Sequence, residues 1–212
     1  MGTKRFFKFL NLLVIFLMVF SPVTNGVTIV TAQDRAGGVV ELDGSVSVLS
    51  ATSGQNIDVT HTTGSGANRL MLVGISWNSA TTATSISSVS FTPSGESAIA
   101  LEQVIVQKQA SNNRYSAIYS LLDPPEGVSG TVRVSLSASI SNGIVIGVAN
   151  FSNVDQADPL GTPGGASSSS SNNTTVTLTL GSLTGDELVF DNIFIGGNPP
   201  AEIGRASCRE RV

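Results

Sequence analysis

Arg69-Leu70-Met71-Leu72-Val73-Gly74-Ile75-Ser76-Trp77 is the most continuously apolar run outside the N-terminus, with Gly64-Ser65-Gly66 before it and Asn78-Ser79 after it. An apolar run of this length between turn-forming residues reads as a strand buried on both faces in preference to a short helix. Working outward, short apolar runs recur between turn signals in a chain rich in Gly, Ser, Thr and Asn. The candidate strands are Gly38 to Leu42, Val46 to Ala51, Ile57 to His61, Arg69 to Trp77, Ile86 to Phe91, Leu101 to Lys108, Arg114 to Leu122, Gly130 to Leu136, Ile144 to Phe151, Thr174 to Leu180 and Glu187 to Ile195. Such regular spacing points to an antiparallel sandwich or barrel.

Alternation supports several of these runs. Val132, Val134 and Leu136 face one way and Thr131, Arg133 and Ser135 the other, as a half-buried strand requires. Val176, Leu178 and Leu180 alternate in the same way with threonines. Ile144 to Phe151 is apolar on both faces and joins the opening stretch as a central strand. Runs at helical spacing are missing and β-branched residues dominate, so no helix is expected. Asp123-Pro124-Pro125-Glu126-Gly127 is a turn, because proline cannot continue a ladder and glycine supplies positive φ. Gly161 to Asn173, with its run of serines, reads as a loop inside the domain in preference to a spacer.

Both ends stand apart from this pattern. Met1 to Ala32 has the form of a secretory signal: Lys4, Arg5 and Lys8, then the apolar Phe9 to Phe20, then Val30-Thr31-Ala32 before a cut at Gln33. The alternative is a retained anchor, since Val27 to Val30 is apolar again, but the main block falls short of the roughly 20 residues of a spanning helix. At the other end, Glu202 to Val212 resembles, residue for residue, the in-frame translation of a common short-read sequencing adapter, which leaves Gln33 to Ala201 as the domain.

Setting the ends aside changes the charge. Three of the 11 Lys+Arg lie in the leader and three in the tail (Arg205, Arg209, Arg211), and two of the 15 Asp+Glu lie in the tail, so Gln33 to Ala201 carries 5 against 13, net −8, where the whole chain carries −4. Five scattered basic residues do not make a nucleic-acid surface, which needs clustered Lys and Arg. The only cysteine, Cys208, belongs to the tail, so the domain relies on burial without disulfides.

Residues able to carry chemistry are few. The one histidine, His61, lies among threonines in Val59-Thr60-His61-Thr62-Thr63 and reads as a surface strand or loop residue. Serine is abundant, yet no Gly-x-Ser-x-Gly elbow is present to hold a nucleophile. Near carboxylate pairs, Glu41 with Asp43, Asp123 with Glu126, Asp155 with Asp158 and Asp186 with Glu187, sit at turns, where acids serve solubility and local hydrogen bonding. Asp155 and Asp158 are the candidates for a calcium ion, which collects several loop oxygens; a plain turn is the other reading, and no other cofactor is implied. Trp77, Tyr115 and Tyr119 are the candidates for stacking against a sugar ring, with core packing as the alternative. Asn150-Phe151-Ser152, Asn172-Asn173-Thr174 and Asn173-Thr174-Thr175 fit the glycosylation sequon, a pattern that chance supplies in such a composition.

Asn68 to Trp77, Tyr119-Ser120-Leu121-Leu122-Asp123-Pro124-Pro125 and Gly147 to Asp155 together resemble an uncharacterised β-sandwich module of secreted bacterial proteins, often found beside other extracellular domains. The resemblance covers most of Val39 to Ile195 and implies a jelly-roll-like sandwich in a larger surface or secreted protein. It carries no catalytic residue. The expected fold is therefore all-β, a two-sheet antiparallel sandwich of about ten strands. The expected function is a structural or adhesive extracellular module, with carbohydrate binding as the alternative and hydrolysis as a weaker one. Its partner would be an extracellular glycan or cell-surface polymer, with no nucleic acid and, once the signal is removed, no membrane.

Overall fold

The structure, a computed structural model, describes residues 38–79, 83–109, 112–167, 177–181 and 187–194. The segment read as a signal, Asn172 and Asn173, Thr174 to Val176, Asp186, Ile195 and the tail read as adapter-derived lie outside these residues. The ten strands are β1 (Glu41–Leu42), β2 (Ser47–Ala51), β3 (Gly54–Thr62), β4 (Leu70–Asn78), β5 (Ile86–Pro93), β6 (Ile99–Ala100), β7 (Glu102–Lys108), β8 (Arg114–Leu122), β9 (Ser129–Ile140) and β10 (Ile144–Ser152).

They form two antiparallel sheets. One runs β1-β10-β4-β8-β7, with β2 also paired to β10; the other runs β3-β9-β5-β6. The pairings are nested: β2 with β10, β3 with β9, β4 with β8, and β5 with β6. A long hairpin rolled up on itself pairs in this way, and rolling brings β10 against β4 and β9 against β5 to close each sheet. This is a jelly-roll sandwich, with β7 added beyond β8.

The opening stretch is the centre of the larger sheet. β4 lies between β10 and β8 and is buried at every position except Asn78, because both of its faces are covered. Met71, Val73, Ile75 and Trp77 point between the sheets, where they meet Ile57, Val59, Val89, Phe91, Val132 and Val134 of the smaller sheet. Leu70 and Leu72 point outward and are covered, with Ala149 and Phe151, by Val154, Leu160 and Phe190.

The last two expected strands are corrected. Residues 177–180 and 187–194 join no ladder. The second of these segments lies on the outer face of the larger sheet, where Phe190 packs edge-on against Phe151 at 6.0 Å. Asn192 sits over Gly74, donating to the Ile75 carbonyl (2.9 Å), the Ala117 carbonyl (3.1 Å) and Ser116 Oγ (2.9 Å). A Cβ on residue 74 would lie 3.1 Å from the Asn192 side chain, so glycine makes the notch that admits it. The apolar content of this segment reads as a strand, yet Phe190 and Asn192 turn toward the sheet's face while Leu188, Val189 and Ile193 stay exposed.

Candidate functional site

The two ends of the sandwich hold the side chains with chemistry. At the end where β4 stops, Trp77 and Tyr115 are paired across β4 and β8, and their rings stack at 4.7 Å and 6°. The indole N–H donates to the Thr84 carbonyl (2.9 Å), and Lys108 Nζ lies 5.7 Å from the Tyr115 ring centre. Trp77 is 1% exposed, Tyr115 8% and Tyr119 6%. The Tyr119 hydroxyl donates to Gln103 Oε1 at 3.2 Å, and burial raises its pKa above the usual 10.0. All three rings therefore pack in the core, and none presents the open face that stacking on a sugar requires.

At the opposite end, three polar groups are brought together from three strands. His61 is 1% exposed and Asn150 is fully buried, at 0%. This corrects the expectation that His61 lies at the surface, because the inward side of β3 runs Ile57, Val59, His61. Asn150 Nδ2 lies 2.6 Å from His61 Nε2 and 3.4 Å from the Thr62 carbonyl. An amide nitrogen between a ring nitrogen and a carbonyl donates to both, so Nε2 is the acceptor and the ring proton sits on Nδ1. Nδ1–H then donates to Ser47 Oγ, 2.9 Å away. Burial of the ring lowers the His61 pKa from 6.5. A general base for serine would have to accept its proton, whereas here the imidazole donates toward the hydroxyl.

Around this cluster the loops are tied by further polar contacts. Asp43 fills the concavity of Gly64-Ser65-Gly66, accepting from the main-chain N–H of Gly66 (2.9 Å) and of Ser65 (3.3 Å). A Cβ at Gly64 would lie 2.1 Å from the Asp43 carboxylate, so the nest is glycine-lined to receive an internal anion. Arg69, with 14% of its side chain exposed, donates to the carbonyls of Pro124 (2.9 Å) and Gly66 (2.9 Å) and pairs with Asp123 (2.9 Å). The buried hydroxyl of Thr63 bonds the Pro125 and Val128 carbonyls.

Asp155 is used locally. Its Oδ1 accepts from the N–H groups of Ala157 (2.8 Å) and Asp158 (3.3 Å), which is the geometry of an Asx turn. Among the described residues no group of three or more His, Cys, Asp or Glu is placed to hold a metal ion, and Asp155 with Asp158 makes two. Sequence reasoning missed Asn150 and Ser47. The signal for Asn150 was the inward series Ile144, Ile146, Val148, which reaches it with a period of two; Ser47, half-buried on the short β2, carried none.

One exposed face completes the inventory. On the outside of the smaller sheet, Thr60, Thr131 and Thr92 stand in one row across β3, β9 and β5. Asp58, Arg133 and Ser90 form the next row, and Asn56, Ser135 and Ser88 the one after. Asp58 and Arg133 pair through two contacts of 2.7 Å. Residues 187–194 lie over part of the larger sheet's outer face, on which Val48 and Val145 stay exposed; on the smaller sheet every residue of these three rows is half-buried or exposed.

No family model, no curated protein and no solved structure matches the chain.

Proposed function

We propose that this chain is a non-enzymatic structural or adhesive module of a larger secreted or cell-surface protein, and that the open face of the smaller sheet is its contact surface. The observation that carries this reading is the set of short hydroxyl and amide side chains in register across β3, β9 and β5. Short side chains on a flat sheet lose little rotamer freedom on contact and offer many donors and acceptors to a repeating polymer. The partner in this reading is an extracellular glycan or cell-surface polymer. Burial of Trp77, Tyr115 and Tyr119 favours contact through this face over stacking on those rings.

The test is a pull-down on insoluble polymers, peptidoglycan and cellulose among them, with wild type and the double variant Thr60→Arg/Ser88→Arg. Both positions are exposed, so the fold is expected to tolerate the change. Wild type is expected to be retained and the variant released at unchanged melting temperature. Retention of both proteins, or of neither, would remove the face from the proposal.

A further inference from the structure

An edge strand carries a row of main-chain N–H and C=O groups with no partner inside its sheet, and folded proteins blunt such edges with charge, bulges or shortness. Of the four edges that the described strands form, three are blunted. β7 begins at Glu102, ends at Lys108 and has a bulge between Gln103 and Ile105. β3 has a bulge between Gly54 and Asn56 and an exposed Asp58 beside it, and β6 is two residues long. The fourth edge is made by β1 and β2, which lie end to end along β10. Here β2, Ser47-Val48-Leu49-Ser50-Ala51, has no charge, no proline and an unbroken register, and no described strand pairs its other side.

Apolar side chains line the same edge. Leu42 pairs with Phe151 and Val48 with Gly147, which places both on the outer face of the larger sheet with Val145; Val46 follows from Val48 by the period of two. These four are 54%, 69%, 48% and 56% exposed in that order. A Cβ on Gly147 would meet nothing within 4 Å, whereas Gly74 beside it is filled by Asn192, so this shelf stands clear of the segment that covers its neighbour. No ionisable residue lies in β2, β10 or β4, although Gln33 to Ala201 carries net −8.

We propose that the β2 edge joins the β2 edge of a second copy of this chain, antiparallel about a two-fold axis perpendicular to the sheet. The open side of β2 takes an extended backbone, and the shelf beside it asks that backbone for apolar side chains on the same face and for no charge. Another β2 meets each demand. The two-fold keeps both outer faces on one side, so the register that sets Val48 beside Val48 of the second copy merges the two shelves. Two domains of net −8 repel wherever their charges approach, and along β2 there are none to approach. The acids nearest to it do not obstruct: Asp43 is turned into the Gly64–Gly66 nest, and an antiparallel joint sends the two copies of Glu41 to opposite ends, beyond the roughly 8 Å of a Debye length. One short strand with a few valines is a small contact, so the joint is expected to be weak and reversible. It leaves the open face of the smaller sheet uncovered and stands independently of the function proposed for that face.

Sedimentation velocity on the full chain from about 1 μM to about 1 mM tests this. Wild type is expected to pass from monomer to dimer across that range, with hydrogen-exchange protection over 47–51 rising in step. Val48→Lys and Val48→Asp each set like charges opposite one another and are expected to weaken the dimer by about tenfold or more. Mixed together they are expected to restore it, because the lysine of one then meets the aspartate of the other. Val106→Lys, at an exposed valine of the β7 edge, is expected to leave association unchanged. A wild type that stays monomeric throughout, an association that Val48→Lys does not weaken, an equal loss in Val106→Lys, or a mixture no tighter than its components would each overturn the proposal. Should a Val48 variant not fold, the wild-type series with its exchange readout decides without it.

Discussion

The two ends of the sandwich are closed by different chemistry. Where β4 ends, closure is by contact area: Trp77 flat against Tyr115, with one indole hydrogen bond. Where β4 begins, closure is by directional polar groups, His61 with Asn150 and Ser47, Asp43 in its glycine nest, and Arg69 across the Asp123–Gly127 turn. An aromatic stack does not change with pH or salt. A polar end does, and it holds only while each group keeps its protonation state and its partner. The first end therefore holds by contact area, and the second by hydrogen bonds around a histidine that burial keeps from taking up a proton.

The largest effect that would sharpen this contrast is at the aromatic end. Trp77→Ala removes a fully buried ring and leaves Tyr115 without its stacking partner, so a loss of about 3–5 kcal/mol is expected in urea unfolding, independent of pH. A loss below about 1 kcal/mol, the size of an ordinary surface change, would mean that the stack is not an anchor. At the polar end, Arg69→Ala leaves the Pro124 and Gly66 carbonyls and Asp123 without their donor. The expected loss is about 2–3 kcal/mol, smaller because water can reach the turn and replace part of what is removed. Increased proteolysis near Asp123–Gly127 should accompany it.

How much of this was readable beforehand differs between the ends for a physical reason. Strands are local patterns, and Arg114 to Leu122 appeared in the chain with the bounds that β8 has in the fold. β4 and β10 were legible as central because both of their faces are apolar. The Trp77–Tyr115 stack depends on the register of β4 against β8, which no single strand encodes. The His61 cluster depends on residues 14 and 89 positions away, although the period of two already placed His61 on the side of Ile57 and Val59. Residues 187–194 show the reverse error: an apolar run assigned to a ladder, when it was the face of the larger sheet that took Phe190 and Asn192. β6 is two residues long and too short to register as a pattern at all.

The smallest expected effect separates the two kinds of polar group on this molecule. Asp58 pairs with Arg133 on the open face, and its hydrogen bond to that guanidinium lowers its pKa below the ordinary 3.8. The folded state thus releases the Asp58 proton more readily than the unfolded chain does. The pair's contribution is complete above pH 3.8 and is lost as the pH falls below it. Both side chains are about half exposed, so water and salt screen the pair and Asp58→Asn should shift the urea midpoint least of the three substitutions. Acid titration of stability should then show two separate falls, one beginning below pH 6.5 from His61 and one below pH 3.8 from Asp58. His61→Gln should remove only the first and Asp58→Asn only the second. Molar salt should flatten the second and leave the first, because the buried ring is out of reach of counterions while the surface pair is not. A first fall that salt erases would place the titrating group at the surface, and the polar end would then be no more sensitive to acid than the aromatic one.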